Sequence, residues 1–212
     1  MANNKKSNTL IHDTICLFLI TLIAGVLLGG VYQITKNTIA QREEDAKKEA
    51  YEAVYKDGTF KADKDVESKL AEFQKKLTAG EIKTASGADL SDVEILEVLK
   101  VEEGGYVATC TGKGYGGAVK LALGIDAEGT VKGIQITDCS NETPGLGQNS
   151  SSAEWNGQYL NMNTSQEITV VKDGTGSQKD GKINAISGAT ITSSAVTRAV
   201  NSVLLFVASL SE

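Results

Sequence analysis

The sequence predicts an α+β protein, in which one membrane-spanning helix precedes a soluble domain with a mostly antiparallel sheet and flanking helices. Residues 14–35 form an uncharged, largely apolar run. The sequence changes in character from Val93 onwards, and Val119, Leu121 and Leu123 alternate with Lys120 and Ala122 as in a half-buried strand. Apolar residues return at helical spacing in the last part of the chain. This order of helices, strands and a final helix is typical of the α+β class.

Length and composition limit the possible functions. The 212 residues suit one domain plus an appendage, and 41% hydrophobic with 23% charged residues is typical of a folded protein. The formal net charge of -6 argues against nucleic acid as the main partner, and against loose adhesion to anionic lipid.

The apolar run is predicted to be a membrane anchor. As a helix its 22 residues would span about 33 Å, enough to cross a bilayer core. A signal peptide is the alternative, but its apolar core is usually about 7–15 residues and ends at a small-residue cleavage site. Basic residues flank both ends of the run, so charge alone leaves the orientation open. Long domains can cross the membrane regardless of such charges. We therefore expect a short cytoplasmic segment at 1–13, the membrane-spanning helix at 14–35, and the remaining chain outside the cytoplasm.

The soluble part begins with helices and continues with strands. Charged residues four apart predict a helix over 36–55, and apolar residues recurring on one face predict a second over 65–77. Residues 36–90 are therefore expected to be a helical linker and the start of the domain. The Asp126-Ala127-Glu128-Gly129 turn predicts a β-hairpin. Strands are predicted at 105–111, 117–125, 130–137 and 166–172, an exposed loop at 173–182, and a helix after that loop.

Cysteine and histidine usage excludes several kinds of site. Cys16, Cys110 and Cys139 have no metal-ligand spacing, and the single histidine, His12, lies at the edge of the apolar run. A zinc site or a histidine-dependent triad is therefore not expected. Whether Cys110 and Cys139 pair is left open by the sequence.

Residues 183–198 carry the first motif with specific chemistry. Ser187-Gly188-Ala189-Thr190 stands directly before a helical pattern. Small residues let the backbone approach a ligand, and a helix N-terminus favours a negative group such as phosphate. Thr190, Thr192 and Ser193 occupy positions typical of helix N-caps, so a capped terminal helix is the alternative interpretation.

Residues 142–147 carry the second motif. They read Glu-Thr-Pro-Gly-Leu-Gly and contain the only proline of the chain. The Pro-Gly pair predicts a rigid turn, which could hold a flat ring between Leu146 and backbone amides. An ordinary turn between strands is the alternative interpretation.

The two motifs in this order resemble the FMN-binding domain of membrane redox complexes. Residues 114–117, Gly-Tyr-Gly-Gly followed by a strand, are similar to the same domain. The layout with one anchor and a charged helix resembles the G subunit family of the Rnf ion-translocating electron transport complex. The C subunit of the sodium-translocating NADH:quinone reductase is its relative. The resemblance covers essentially the whole chain and implies an FMN-binding domain at 91–212.

The resemblance implies covalent FMN, attached by a flavin transferase through its phosphate to the hydroxyl of Thr190. It further implies that the flavin is held by both motifs. The sequence departs from the family pattern at Asn184, where many relatives have Asp, and at Ser140, where relatives often have His. The predicted cofactor-binding residues are Thr190, Ser187, Gly188, Ala189, Thr192, Glu142, Thr143, Gly145, Leu146 and Gly147.

The function implied is that of an electron-carrying phosphoprotein without a substrate site of its own, working within a larger assembly. Its partners would be the other membrane proteins of a ferredoxin:NAD oxidoreductase complex that moves a cation. Its FMN domain would lie on the extracytoplasmic side of the cell membrane. Two alternatives stay open at this point: a stand-alone anchored flavoprotein outside the cytoplasm, and a non-redox anchored binding module.

Overall fold

The computed structural model describes residues 3–210, with side chains from His12 onwards except those of residues 40 and 43. The first two residues of the predicted segment 1–13 and the last two of the predicted domain 91–212 lie outside the described residues. Contacts divide the chain into the units Met1–Ala46 and Lys47–Glu212. The helices are α1 (Asn3–Val54), α2 (Lys64–Thr78), α3 (Ala153–Asn156) and α4 (Thr190–Leu210). The strands are β1 (Phe60–Lys61), β2 (Val93–Val101), β3 (Tyr106–Lys113), β4 (Ala118–Ile125), β5 (Val131–Asp138), β6 (Thr169–Val171) and β7 (Lys182–Asn184).

Two helices among the described residues are long and apolar enough to cross a membrane. One spans His12–Val54, and none of its most apolar window is buried. The other is α4, whose window is 72% buried because the helix packs into the core of the second unit. Burial of that extent is typical of the core helix of a folded domain, so the first helix is the candidate anchor.

The sheet is an antiparallel meander in which β1 to β5 pair in sequence order. β3 and β4 pair without a bulge from Tyr106 opposite Ile125 to Lys113 opposite Ala118. The predicted hairpin at 126–129 joins β4 to β5, closed by a hydrogen bond from the Asp126 N–H to the Thr130 carbonyl, 2.9 Å. β3, β4 and β5 confirm the antiparallel prediction, and their ends differ from the predicted ends by one or two residues at most. β1 and β2 were not predicted as strands.

Two predictions for the segment before α4 need correction. The strand expected at 166–172 is only the three-residue β6, and it pairs in parallel with β7 rather than with the main sheet. The region 173–182, expected to be a loop, contains a short 3-10 turn at Gln178–Asp180 and the first residue of β7. Strands this short carry no apolar alternation from which a partner could be predicted.

Each face of the sheet is covered by a helix. Ala108, Cys110, Leu121 and Leu123 belong to the cluster that packs with α4 and α2. Their neighbours Val107 and Ala122 belong to the cluster formed with the end of α1, because successive residues of a strand point to opposite faces. α4 lies close to β3, since a Cβ at Gly112 would overlap the carbonyl oxygen of Ala195. This close approach fixes the end of β3 beside the start of α4.

Candidate functional site

The two sequence motifs meet at one cleft beside the N-terminus of α4. The cleft has a volume of about 600 Å³, which falls within the range of about 300–1,000 Å³ that is usual for small-molecule sites. Eight of the ten predicted site residues line it, and Gly145 and Ser187 do not. The lining residues are Tyr115, Glu142, Thr143, Leu146, Gly147, Gly188, Ala189, Thr190, Ile191 and Thr192.

Glu142 ties three segments of the chain together beneath this cleft. Its side chain is only 3% exposed. One carboxylate oxygen accepts the Gly116 N–H at 2.8 Å, and the other accepts the Thr192 hydroxyl at 2.6 Å. A buried carboxylate needs such donors, because removing its charge from water without them is costly. Glu142 therefore fixes the loop at 114–117 and the first turn of α4 relative to its own turn.

Glycines around Glu142 leave room for these contacts. A Cβ at Gly147 would overlap a carboxylate oxygen of Glu142, and it would lie 2.9 Å from the Thr192 hydroxyl oxygen. A Cβ at Gly114 would overlap the other carboxylate oxygen. The second glycine of the Pro-Gly-Leu-Gly turn is therefore required by packing. The first, Gly145, has φ of +75°, which favours glycine for its backbone conformation.

Thr190 is the first residue of α4 and lies half-buried in the wall of the cleft. N–H groups in the first turn of a helix have no partner within the helix, and together with the helix dipole they favour an anion there. Gly188, with φ of +75°, brings the chain into this position, and a Cβ there would lie 3.0 Å from Leu146 Cδ2. The hydroxyl of Thr190 and a site suited to phosphate thus lie together.

The predicted N-cap positions of Thr190, Thr192 and Ser193 are wrong. All three residues lie inside the first turn of α4, because the helix begins at Thr190. The Ser193 hydroxyl donates to the Ala189 carbonyl at 2.9 Å and accepts the Ile186 N–H at 3.0 Å. Ser193 therefore braces the chain that enters the helix, while Thr192 is committed to Glu142.

Asn184 has a structural role before the first motif. Its side-chain oxygen accepts the Gly176 N–H at 2.9 Å, and its backbone carbonyl accepts the Trp155 indole N–H at 2.9 Å. An amide oxygen accepts that N–H as a carboxylate oxygen would, so Asn184 holds the loop before β7 without needing a charge. The other departure from the family pattern, Ser140, is exposed, and its N–H is bound to the Asp138 carboxylate at 2.9 Å.

A larger cleft of about 740 Å³ lies around Trp155 and Asn184. None of the predicted site residues lines it. Trp155 is 7% exposed and already donates its N–H to a backbone carbonyl, so it offers little surface to a ligand. The smaller cleft, where both motifs converge, is the candidate functional site.

Sequence reasoning did not include two of the lining residues, Tyr115 and Ile191, in the site. Both are well exposed, at 74% and 53%. The sequence did carry a signal for Tyr115, which is an aromatic residue between glycines in the segment 114–117. Glycines there permit the backbone to come close to a ligand. Ile191 follows the motif threonine directly and interrupts the run of hydroxyl residues.

The cysteines take no part in the cleft, and all three are free thiols. Burial raises the pKa of the Cys110 thiol to about 12. Its sulfur lies 3.9 Å from the Ala199 carbonyl oxygen, while that of the half-buried Cys139 lies 3.8 Å from the Gln148 carbonyl oxygen. Among the described residues, no group of three or more His, Cys, Asp or Glu side chains could hold a metal ion.

Comparison with known proteins shows similarity over one domain and over most of this chain. The family model described as FMN-binding domain matches residues 114–205. The G subunit of the proton-translocating ferredoxin:NAD(+) oxidoreductase complex of Clostridium ljungdahlii is 32% identical over 200 residues, covering 94% of this chain and 92% of that protein. The chain belongs to the G subunit family of these ion-translocating oxidoreductase complexes.

Other members and solved structures match part of the chain. The G subunit of the Na(+)-translocating ferredoxin:NAD(+) oxidoreductase complex of Acetobacterium woodii is 44% identical over 113 residues, covering 51% of this chain and 53% of that protein. The chain thus aligns with about half the length of that relative. The C subunit of the Na(+)-translocating NADH-quinone reductase of Parabacteroides distasonis is 17% identical with a TM-score of 0.45, covering 68% of this chain and 94% of that one. Shewanella oneidensis NqrC is 21% identical with a TM-score of 0.44, covering 54% of this chain and 60% of that one.

Proposed function

We propose that this chain is the electron-carrying member of a membrane-bound ferredoxin:NAD oxidoreductase complex of the Rnf type, with FMN attached covalently through its phosphate to Thr190. The observation that carries the proposal is the cleft where both motifs converge. Thr190 there presents a hydroxyl at the first position of a 21-residue helix. The family membership and the match to the FMN-binding domain support the cofactor.

The residues of the cleft fit the parts of FMN. The helix N-terminus suits the phosphate, and exposed apolar side chains such as Leu146 suit a flat ring. Thr143 and neighbouring amides would contact the polar edge of the ring. The positive φ of Gly188 brings the backbone close to Leu146 without a Cβ between them. Bound FMN supplies reversible uptake and release of electrons, which is the chemistry that a carrier needs.

The charges of the cleft favour covalent attachment over simple binding. Among the residues that the structure describes, Glu142 is the only charged one that lines the cleft, and none of them places a lysine or arginine there to clamp a phosphate. The two donors nearest its carboxylate, the Gly116 N–H and the Thr192 hydroxyl, are already engaged. A phosphoester to Thr190 would keep the cofactor in place without a cationic clamp. A flavin transferase would make this bond during maturation.

The proposed placement is a single-pass protein of the cell membrane. The helix over residues 14–35 would anchor it, with residues 1–13 in the cytoplasm and the FMN domain at 91–212 on the extracytoplasmic side. The long apolar helix among the described residues supports an anchor. The other membrane proteins of the complex would supply the electron donor and acceptor. Two relatives are named for different ions, sodium and proton, so we propose ion translocation without a particular ion.

Coexpression with a flavin transferase tests the attachment. The full chain is expected to show flavin fluorescence in a denaturing gel, and Thr190→Ala is expected to abolish it. Thr175→Ala removes an exposed threonine hydroxyl outside both motifs, so this control should keep the fluorescence. Fluorescence that persists in Thr190→Ala would refute the assignment. A colourless wild-type chain would favour a non-redox binding module.

Labelling of intact cells tests the topology. A cysteine placed at the exposed Thr175 is expected to react with a membrane-impermeant maleimide, whereas one placed at Ser7 should react only after the cells are opened. The labelled peptides are identified by mass, which separates them from the three native cysteines. The reverse pattern would place the FMN domain in the cytoplasm.

A further inference from the structure

Exposed apolar side chains of the second unit are concentrated at the candidate flavin cleft. Among residues 47–210, all of which the structure describes, five large hydrophobic side chains are exposed, and three of them line this cleft. Single exposed apolar residues are common, but several around one concave site indicate a ligand that covers them. The five are Leu96, Tyr115, Leu146, Leu160 and Ile191, of which Tyr115, Leu146 and Ile191 line the cleft.

Tyr115 is the most exposed of the five and stands at the tip of a tight, fixed loop. The loop joins β3 to β4 and is closed by a hydrogen bond from the Gly114 N–H to the Gly117 carbonyl, 2.8 Å. A Cβ at Gly116 would overlap the carbonyl oxygen of Asn141, and one at Gly117 would lie 2.9 Å from the Asn141 Cβ. The loop backbone therefore packs directly on the segment that carries Glu142.

The loop at 114–117 carries only one side chain, that of Tyr115. Glu142 accepts the Gly116 N–H and so fixes the loop by a charge-assisted bond. The other loop residues are glycines, which leaves Tyr115 as the only group that the loop can use. Its ring is 74% exposed although its backbone is held on both sides. A rigid support for an uncovered aromatic ring is expected where another ring stacks on it.

We propose that Tyr115 stacks on the isoalloxazine ring of the flavin, so that the ring lies between Tyr115 and Leu146. This inference rests on the proposed function and adds a residue that positions the ring. Burial of both side chains would contribute to holding the ring, because removing apolar area from water is favourable. An electron-rich phenol against the ring would also favour the electron-poor oxidised state over the reduced state. Tyr115 would thereby lower the midpoint potential of the carrier.

Flavin fluorescence of the native protein tests the stacking. A phenol in contact with a flavin quenches its emission, because it donates an electron to the excited ring and then takes the electron back. The full-length chain carrying covalent FMN is therefore expected to fluoresce weakly when folded and strongly when unfolded in urea. Tyr115→Phe removes the electron donor but keeps the ring, so the folded variant should show a several-fold longer flavin lifetime. Tyr115→Leu should do the same and raise the midpoint potential.

Tyr106→Phe is the matched control. Tyr106 lies at the opposite end of β3, about 23 Å from the loop at a rise of about 3.3 Å per residue, so its replacement should leave the lifetime unchanged. A folded Tyr115→Phe variant with the wild-type lifetime overturns the stacking. Intact mass distinguishes this result from failure of the proposed function. Absence of FMN from the wild-type chain would remove both, whereas covalent FMN with an unchanged lifetime would remove only the role of Tyr115.

Discussion

Replacement of Glu142 by alanine is expected to destabilise the domain strongly, because the side chain joins three segments under the cleft. Its carboxylate makes two short hydrogen bonds, 2.8 Å to the Gly116 N–H and 2.6 Å from the Thr192 hydroxyl. Hydrogen bonds to a charged group contribute about 1.5–3 kcal/mol each, so the loss of both predicts about 3–6 kcal/mol. Thr192 is 1% exposed, so its hydroxyl could not turn to water instead.

A double-mutant cycle isolates the bond between Glu142 and Thr192. The variants are Glu142→Ala, Thr192→Val and the double variant, in the full chain in detergent. Urea unfolding is followed by the fluorescence of Trp155, the only tryptophan, which is buried. Because the two side chains are in direct contact, we expect a coupling energy of about 1.5–3 kcal/mol. Glu128→Ala is the control, since this exposed glutamate should change stability by less than about 0.5 kcal/mol.

Additivity of the two single changes within about 0.5 kcal/mol would refute this account of the contact. Such a result would mean that the carboxylate and the hydroxyl do not stabilise one another. Glu142→Gln gives a second check, because an amide keeps an acceptor for Gly116 while removing the charge. Its loss of stability should be smaller than that of Glu142→Ala.

Three further predictions concern packing, pH and the accessibility of the thiols. Gly147→Ala should lower the free energy of unfolding, measured in urea, by more than about 2 kcal/mol, because its Cβ would overlap the Glu142 carboxylate. Gly157→Ala is the control and should be near neutral, because Gly157 has φ of -60° and no atom lies within 4 Å of the added Cβ. Burial raises the pKa of Cys110 from 9.0 to about 12, so the unfolded thiol ionises first and stability falls as pH rises above 9. Relative to Cys110→Ala, the wild-type chain should lose up to about 1.4 kcal/mol per pH unit there; equal slopes would contradict this. At pH 8 a thiol reagent should label the half-buried Cys139 in the folded chain, and Cys110 only after unfolding.

The sequence predicted β3, β4 and β5 of the main sheet because these strands carry the signal that burial on one or both faces produces. Val119, Leu121 and Leu123 alternate with smaller or polar residues, and all three are buried in β4. The Asp126 turn likewise has the chemistry of a hairpin, which the bond to Thr130 confirms. Local patterns of this kind depend only on near neighbours, which the sequence displays directly.

Contacts between distant segments could not be predicted in the same way. Glu142 and Thr192 are 50 residues apart, and no periodicity relates a turn after β5 to the first turn of α4. Ser193 was expected to cap the helix, but the chain before α4 brings the Ile186 N–H to its hydroxyl. The parallel pairing of β6 with β7 was missed for a similar reason, since three-residue strands have too few side chains to define a face. The resemblance to a family placed both motifs at one site, and the structure gives the contacts that join them.

The mass of the peptide that contains Thr190 tests the central claim most directly. The chain is coexpressed with a flavin transferase, digested, and sequenced by mass spectrometry. We predict that this peptide gains the mass of FMN less one water, and that fragmentation places the addition on the Thr190 side chain. A full-length chain without this addition, or with FMN on another residue, would contradict the account.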